Sequence, residues 1–381
     1  MRKILFLLIF IGSAWLSEAS PLWMRYCAIS PDGAKIAFAY KGDIYVVDSR
    51  GGTAQRLTSW EGFESAPVWS NDGQTLAFVS DRHGGRDIFT VPARGGVPHR
   101  VTTHSAQETP LAFSPDDRYI YYTAVIQDPA ASALFPAKWM TELYRIPVAG
   151  GRPQQVIAAP VSSLCFDRDG ASFLYENRTG GENIWRKHHT SSVARDIFRY
   201  DASTGKHTRL TTNPGEDRSP LYTPDGKIVF LSERDGGSFN VHRAAPEAMD
   251  RAEQLTHFTD HPVRFLTQAT DGTLCFGYMG KIYTLVPGRE PVKVVIEIVD
   301  EAGDTPLSVQ TLRSASEFAL PDKGDDIAVI SRGELFAVSS KYGTAKQITR
   351  TPEAEQGVTI SPDGQTIVYS SSRSGIWSLY K

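Results

Sequence analysis

The sequence repeats one unit eight times between residues 28 and 372. Each copy contains an apolar segment, a tight turn and a second apolar segment, as in AISPDGAKIAFAY and VWSNDGQTLAFVS. The turns lie 40 to 56 residues apart and centre on Gly33, Gly73, Asp117, Gly170, Gly226, Gly272, Gly324 and Gly364. A period of roughly 40 to 50 residues built from strands and turns is typical of a four-stranded propeller blade. The repeat therefore predicts an all-β protein.

The segments after each turn supply the remaining strands of a blade. In the first copy, a third strand is expected at Asp43–Asp48 and a fourth at Gln55–Thr58. In Lys35–Tyr40, large apolar residues alternate with alanines, so neither face of the strand is charged. This pattern is expected where a sheet is covered on both sides by its neighbours. The Pro-Asp-Gly turns are interpreted as structural; the alternative, Ca²⁺ binding by their aspartates, needs more oxygen ligands than one turn offers.

The repeats predict a β-propeller of four-stranded blades in two parts. A six-bladed ring is expected over residues 20–300, a linker at 301–316, and the first two blades of a second, incomplete propeller at 317–381. The last unit stops in its third strand, so we expect a truncated chain whose second propeller cannot close. The alternative is one closed ring of seven or eight blades, with an N-terminal strand around Leu22–Tyr26 completing the last blade.

The N-terminus has the features of an export signal. Arg2 and Lys3 precede an apolar run, and small residues stand at Ser17 and Ala19. We predict a signal peptide over residues 1–19 and a mature protein that is periplasmic or secreted, with no membrane span after cleavage. The alternative is a membrane anchor, although the run is shorter than the ~20 residues that span a bilayer.

Composition and motifs exclude several classes of function. The net charge is −3 and the Lys and Arg residues are scattered, which argues against a nucleic-acid partner. Three cysteines without a CxxC motif allow at most one disulfide pair. Neither GxSxG nor HExxH occurs, and no glycine-rich phosphate loop is present. We therefore predict no catalytic residue, metal or cofactor in this chain.

Two long insertions, Gln127–Thr141 and Thr179–Arg195, both join the second and third strands of a blade. Strand direction alternates within a blade, so both insertions are expected on one face of the disc, and long loops on a rigid scaffold commonly bind partners. The predicted binding residues are Arg186, Lys187, His188, His189 and Arg195. The alternatives are a solvated basic loop, a contact for acidic groups or another domain, and a metal site.

An arginine recurs two residues before a glycine in the same connections, at Arg82, Arg178, Arg234 and Arg373. This set is expected to pair with carboxylates of its own turns, such as Asp81, Glu176 or Glu233; the alternative is a cationic rim.

The repeats resemble PD40 units of the TolB type, and WRKHHTSSVARDIFRYD (185–201) resembles a segment of tricorn-like proteases of the S41 serine peptidase family. In that family, a six-bladed and a seven-bladed propeller precede a PDZ domain and a peptidase core. The resemblance implies the propeller portion of such a protease, ending before the PDZ and catalytic domains and channelling or gating peptides. Peptides or a peptidase domain are the implied partners, and an oligomer is possible. The alternative is a stand-alone TolB-like module that binds envelope proteins.

Overall fold

The computed structural model describes residues 21–126, 140–181, 183, 185–299 and 312–381. Apart from one turn of 3-10 helix at Met249–Arg251, its regular structure is entirely β, and none of its helical segments could cross a membrane. The predicted signal peptide at 1–19 lies outside the described residues.

The strands form eight consecutive blades, seven with four antiparallel strands and the last with three. Blades 1 to 3 contain β1 (Arg25–Ile29), β2 (Lys35–Tyr40), β3 (Asp43–Asp48) and β5 (Gln55–Arg56); β6 (Glu64–Trp69), β7 (Thr75–Ser80), β8 (Asp87–Pro92) and β9 (His99–Arg100); and β10 (Thr109–Phe113), β11 (Tyr119–Ala124), β12 (Glu142–Pro147) and β13 (Gln154–Ile157). Blades 4 to 6 contain β14 (Val161–Phe166), β15 (Ser172–Asn177), β16 (Ile197–Asp201) and β17 (Lys206–Arg209); β18 (Asp217–Tyr222), β19 (Ile228–Ser232), β20 (Asn240–Ala244) and β21 (Glu253–Gln254); and β22 (Arg264–Gln268), β23 (Leu274–Tyr278), β24 (Lys281–Leu285) and β25 (Val292–Lys293). Blades 7 and 8 contain β27 (Glu317–Ala319), β28 (Asp326–Ser331), β29 (Glu334–Ser339) and β30 (Ala345–Gln347); and β31 (Glu355–Ile360), β32 (Ile367–Ser371) and β33 (Ser378–Tyr380). A separate parallel pair joins β4 (Gly52–Thr53) to β26 (Ile296–Glu297).

The second strands of blades 1 to 6 are buried on both faces, as the alternation of large and small residues in the first blade predicts. In β2, Ile36 and Phe38 pack into a cluster shared with blade 6, whereas Ala37 lies in a cluster with Leu76 and Phe78 of blade 2. Burying a side chain such as Phe38 contributes roughly 1.5–3 kcal/mol. The small residues of one blade therefore make room for the large residues of the next.

The first strand of each blade is its inner strand. The inner strands of blades 1 to 6 contact one another in chain order, and β1 also contacts β22 of blade 6. These inner strands consequently surround a central channel, and the all-β propeller fold is confirmed. Arg25–Ile29 pairs with β2 in blade 1, and the described strands of blade 8 come from that blade's own segment. The predicted linker at 301–316 falls largely outside the described residues, so the division into two propellers stays a prediction.

The connections between first and second strands lie on one face of the disc, which we call the turn face. In blade 2, the Ser70 hydroxyl donates to Asp72 Oδ1 at 2.6 Å, and the Gln74 N–H donates to the same oxygen at 2.9 Å. The Ser70 hydrogen bond lowers the pKa of Asp72, with the Gln74 N–H adding to the effect. Equivalent serine or threonine hydroxyls bond the turn aspartate in other blades, at Asp32, Asp116, Asp225 and Asp363. These carboxylates thus close their own hairpins.

Candidate functional site at the mouth of the channel

A cavity of about 830 Å³ opens where the channel meets the opposite face, which carries the connections between second and third strands and is called here the loop face. Residues from the inner strands of blades 1 to 6 line this cavity, so it lies on the channel axis. Its walls carry five arginines and one tryptophan, at Arg86, Arg178, Arg195, Arg218, Arg264 and Trp185.

Backbone bulges shape the wall of this mouth. The register of each inner strand of blades 1 to 6 shifts near its first residues. Four cavity-lining residues that are not glycine take left-handed backbone angles: Tyr26 (φ 54°), Ala66 (φ 51°), Ser219 (φ 51°) and Phe265 (φ 57°). A residue with a Cβ loses roughly 1–2 kcal/mol in this conformation. Bulges re-aim the side chains beside them, and here they turn residues of the inner strands toward the channel.

The segment between β15 and β16 of blade 4 extends across blades 5 and 6. The His188 N–H donates to Glu233 Oε2 in blade 5 at 2.6 Å. Lys187 Nζ lies 3.5 Å from the carbonyl oxygen of Asp260, just before blade 6. Arg264 Nη2 donates to the Trp185 carbonyl oxygen at 3.2 Å. Residues 185–188 of this segment therefore contact blade 5 and the start of blade 6 at the rim of the channel.

Trp185 is the centre of a group of guanidiniums at the mouth. Its ring lies 4.7 Å from the Arg264 guanidinium carbon and 5.2 Å from that of Arg25, and its ring centroid is 6.1 Å from that of Phe265. Cation–π contacts of this kind contribute about 0.5–2 kcal/mol each, more as water is excluded. They hold two arginines of different blades close together despite their like charge.

A network of buried charged groups contacts the same segment. His189 Nδ1 lies 2.9 Å from Glu216 Oε1, and His189 Nε2 lies 2.8 Å from the Ser191 hydroxyl. Arg195 forms an ion pair with Glu176, and Arg218 forms one with Glu216. His189 and Glu216 are 3% and 1% exposed. The serine–histidine–glutamate chain orders the loop, since Ser191 Oγ also accepts the Val193 N–H at 3.2 Å.

Burial and neighbouring charge act in opposite directions on these groups. Burial raises the pKa of Glu176, but Arg195 and Arg218 outweigh it, so that this pKa lies below its ordinary value. Burial lowers the pKa of Arg218 to about 10, and does the same for Arg264. Arg218 is buried in the wall of the cavity, and Arg264 is half-buried.

Arg178 lines the cavity without an ion pair among the described residues. Burial lowers its pKa, repulsion from Arg195 adds to the effect, and attraction to Glu176 opposes it. Its Nε atom is buried and has no hydrogen-bond partner among the described residues. A buried guanidinium donor without an acceptor is costly, since each such group loses its water without replacement. An anion in the cavity would offset that cost.

The five predicted binding residues do not form one cluster. Arg186, Lys187 and His188 are exposed, whereas His189 and Arg195 belong to the buried network. Of the five, only Arg195 lines the cavity. The two adjacent histidines take different partners, Glu233 for His188 and Glu216 for His189. Whether any of them binds a partner stays a prediction. The other predicted insertion, Gln127–Thr141, lies outside the described residues from 127 to 139.

Three of the four recurrent arginines form ion pairs within the described residues, and their partners differ from the predicted carboxylates of their own turns. Arg82 pairs with Glu64, Arg234 with Asp217 at 3.0 Å and Arg373 with Glu355 at 3.2 Å. Each of these carboxylates lies at the start of the inner strand of the same blade, not in the turn that carries the arginine. The side chains of Glu64, Asp217 and Glu355 are 0% exposed, so the pairs are more buried than surface salt bridges.

Sequence reasoning missed three arginines at the mouth, which share one position in the repeat. Arg25, Arg218 and Arg264 each precede a left-handed bulge residue and stand eight residues before the turn glycines Gly33, Gly226 and Gly272. Aligning the repeats on their turns would have revealed this recurrence. The bulge beside each arginine has no comparable pattern in the sequence, because Tyr26, Ser219 and Phe265 are unrelated residue types.

Comparisons with known proteins agree with this architecture. The family described as "Tricorn protease N-terminal beta propeller domain" matches residues 21–290. Dipeptidyl-peptidase 5 of Porphyromonas gingivalis is 26% identical over 86% of this chain and 54% of its own length. Tricorn protease homolog 1 of Streptomyces coelicolor is 25% identical over 90% of this chain and 27% of its own length. A crystal structure of the tricorn protease superposes with a TM-score of 0.61 at 19% identity, covering 95% of this chain and 35% of that one. The chain thus spans about half, or less, of the length of these proteins.

Proposed function

Because this chain belongs to the tricorn protease N-terminal β-propeller family, and is a propeller module of a tricorn-like protease, we propose that it channels or gates peptides for a serine peptidase domain. In this proposal, peptides enter or leave through the mouth on the loop face. The propeller handles the peptide, and a peptidase domain of the S41 type performs the hydrolysis. Two relatives named as peptidases match most of this chain, which supports the association.

The observation that carries the proposal is the buried Arg178 Nε atom, which has no hydrogen-bond partner among the described residues, in a cavity whose wall carries five arginines. Every extended peptide with a free C-terminus carries one group that suits such a site, its terminal carboxylate. Hydrogen bonds between a guanidinium and a carboxylate are stronger than neutral ones, and the planar fork of arginine matches the two oxygens. The Trp185 ring and the Phe265 ring offer apolar surface beside the arginines for a peptide side chain.

The test compares two forms of one peptide on the full chain. A fluorescein-labelled pentapeptide with a free C-terminus is titrated against its C-terminal amide, and binding is followed by anisotropy. Because charged hydrogen bonds contribute about 1.5–3 kcal/mol, amidation is expected to weaken binding about 10-fold or more. Arg178→Met should weaken binding of the acid and leave that of the amide nearly unchanged.

Arg168→Met provides the matched control, because Arg168 is an exposed arginine in the turn between β14 and β15, on the turn face. It should bind both peptides as the unchanged protein does. Equal affinity for the acid and the amide, or equal loss of both in Arg178→Met, would refute carboxylate recognition. Failure to bind either peptide would favour the alternative, a TolB-like module that binds envelope proteins.

Export is the second part of the proposal, and it places the protein in the periplasm or outside the cell. Expression of the whole chain in a Gram-negative host, followed by fractionation and N-terminal sequencing, tests it. We expect a periplasmic product that begins at Ser20. A product that begins at Met1 in the membrane fraction would indicate an anchor, and one in the cytoplasm would contradict export.

A further inference from the structure

Blades 1 and 6 meet without exchanging a strand. All four strands of blade 1 come from residues 25–56, and all four of blade 6 come from 264–293. The contact consists of apolar packing, the β4–β26 pair and bonds such as Met24 N–H to the Gly280 carbonyl at 3.0 Å. In the structure, this seam is closed by noncovalent contacts between segments that are far apart in sequence.

Two of the three cysteines lie on opposite sides of this seam. Cys27 belongs to β1 and Cys275 to β23, and they are 2% and 0% exposed within one apolar cluster. The Cys27 thiol donates to the Phe265 carbonyl at 3.6 Å. Two residues further along both strands, the Ile29 N–H donates to Thr267 Oγ1 at 3.1 Å, and Thr267 is the cross-strand partner of Cys275. Strand β1 also contacts β23 directly, so Cys27 and Cys275 lie in neighbouring strands of the same apolar cluster.

We infer that Cys27 and Cys275 form a disulfide that closes the seam between blades 1 and 6 when the chain folds under oxidising conditions. The oxidant is another disulfide, such as oxidised glutathione. One cysteine thiolate attacks it and releases one reduced thiol; the second cysteine thiolate then attacks the mixed disulfide and releases the other. Both cysteines are oxidised, one disulfide of the oxidant is reduced to two thiols, and two protons pass from the cysteines to the released thiols.

The environment determines when this exchange occurs. Burial raises the pKa of Cys275 well above its ordinary value, and the contact with Cys27 raises it further. Since the thiolate is the reactive form, the thiols of the closed seam exchange slowly. The bond should therefore form during folding, before the apolar cluster closes, and should afterwards resist reductants while the protein stays folded.

Cys165 supplies an internal control. It lies in blade 4, where its sulfur accepts the Tyr222 N–H at 3.4 Å and its thiol lies 3.6 Å from the Phe166 carbonyl oxygen. It belongs to a different apolar cluster from the other two cysteines. A selective pairing therefore leaves this thiol free.

The experiment refolds the reduced full chain from urea in a glutathione redox buffer. Free thiols are then blocked under denaturing conditions, and the peptides are mapped by mass spectrometry without reduction. We expect one cross-linked peptide that joins Cys27 to Cys275, and one blocked thiol at Cys165. The oxidised chain should unfold at a higher urea concentration than the reduced chain, by about 1 M or more, because a cross-link across a long loop constrains the unfolded state.

Two variants make the result specific. Cys165→Ala should keep the cross-link, and Cys27→Ala should leave Cys275 free and abolish the dependence of the urea midpoint on oxidation. Three blocked thiols, glutathione adducts at Cys27 or Cys275, or a cross-link that includes Cys165 would each overturn the proposal. The mapping uses the unaltered chain, so it decides the matter even if a variant folds poorly.

Discussion

The two faces of the disc satisfy their polar groups in different ways. On the turn face, the turn aspartates accept the hydroxyl of a serine or threonine in their own hairpin, as when Asp72 accepts the Ser70 hydroxyl and the Gln74 N–H. On the loop face, the buried network joins groups from different blades, as when Glu216 at the entrance to blade 5 meets His189 of the blade 4 segment. A local pattern can be repeated in every blade, whereas a network that crosses blades depends on the whole ring. The loop face is therefore where one blade can differ from the next and where a ligand can find unsatisfied groups.

Breaking the network should have the largest effect on stability. Arg195→Met removes the closest cation from Glu176, a carboxylate that is 3% exposed. Leaving a buried charge without its partner costs about 3–5 kcal/mol. We expect the free energy of unfolding in urea to fall by that amount at neutral pH. Arg199→Met, in the exposed part of β16, is the control and should change it by less than about 0.5 kcal/mol. Equal values for the two variants would show that the network contributes no stability.

One glutamate position on the loop face has an arginine partner in blade 2 and an isoleucine in its place in blade 3. The pH dependence of stability should reveal this difference. Glu64 of blade 2 pairs with Arg82, but Glu108, its counterpart in blade 3, has Ile126 in place of that arginine. Burial raises the pKa of Glu108 to about 7, and Asp87 adds to the effect. A carboxyl group whose pKa is higher in the folded than in the unfolded protein does not lower stability at pH values below its pKa in the unfolded chain. It then lowers stability as pH rises to the folded pKa, and the loss remains constant above it.

Glu108→Gln should therefore stabilise the protein at pH 8 by about 2–3 kcal/mol and change little at pH 4, as measured by urea unfolding at both values. Glu64→Gln is the matched variant and should destabilise at pH 8, because the buried Arg82 guanidinium loses its charged partner. If both substitutions changed the free energy of unfolding in the same direction at pH 8, the two blades would not differ in the way their partners suggest.

The fold was predictable because its determinants are local. The turn residue recurs at a blade-length spacing, and the segments beside it form strands whose partners follow within one blade. The site was less predictable. The sequence pattern predicts that His189 and Arg195 belong to a basic loop. Both are buried, because carboxylates from blades 4 and 5 converge on them. That convergence depends on ring geometry and on bulges at unrelated residue types, which one sequence does not encode in a recognisable pattern.

On the turn face, a single substitution should have a smaller effect, confined to its own hairpin. Asp72→Ala removes an acceptor for the Ser70 hydroxyl, which still has the Thr75 carbonyl within reach, and for the N–H of the exposed Gln74. Intramolecular hydrogen bonds of this kind contribute about 0.5–1.5 kcal/mol, so thermal unfolding should show a loss of about 1 kcal/mol. Asp72→Asn keeps the acceptor oxygen and should lose less. A loss as large as that of Arg195→Met would mean that the two faces do not differ in cooperativity.

The smallest effect on stability is expected where the predicted binding residues are exposed. Arg186 and Lys187 lie at the surface of the blade 4 segment, and their charges are solvated. The double change to alanine should alter the free energy of unfolding by less than about 0.5 kcal/mol. If these side chains contact acidic groups of a partner, the same variant should bind a peptide or a peptidase domain more weakly, and the difference should shrink as salt is raised. Binding that is intact at low salt would assign partner recognition to the arginines of the channel mouth, and Arg186 and Lys187 would then be only a solvated basic surface.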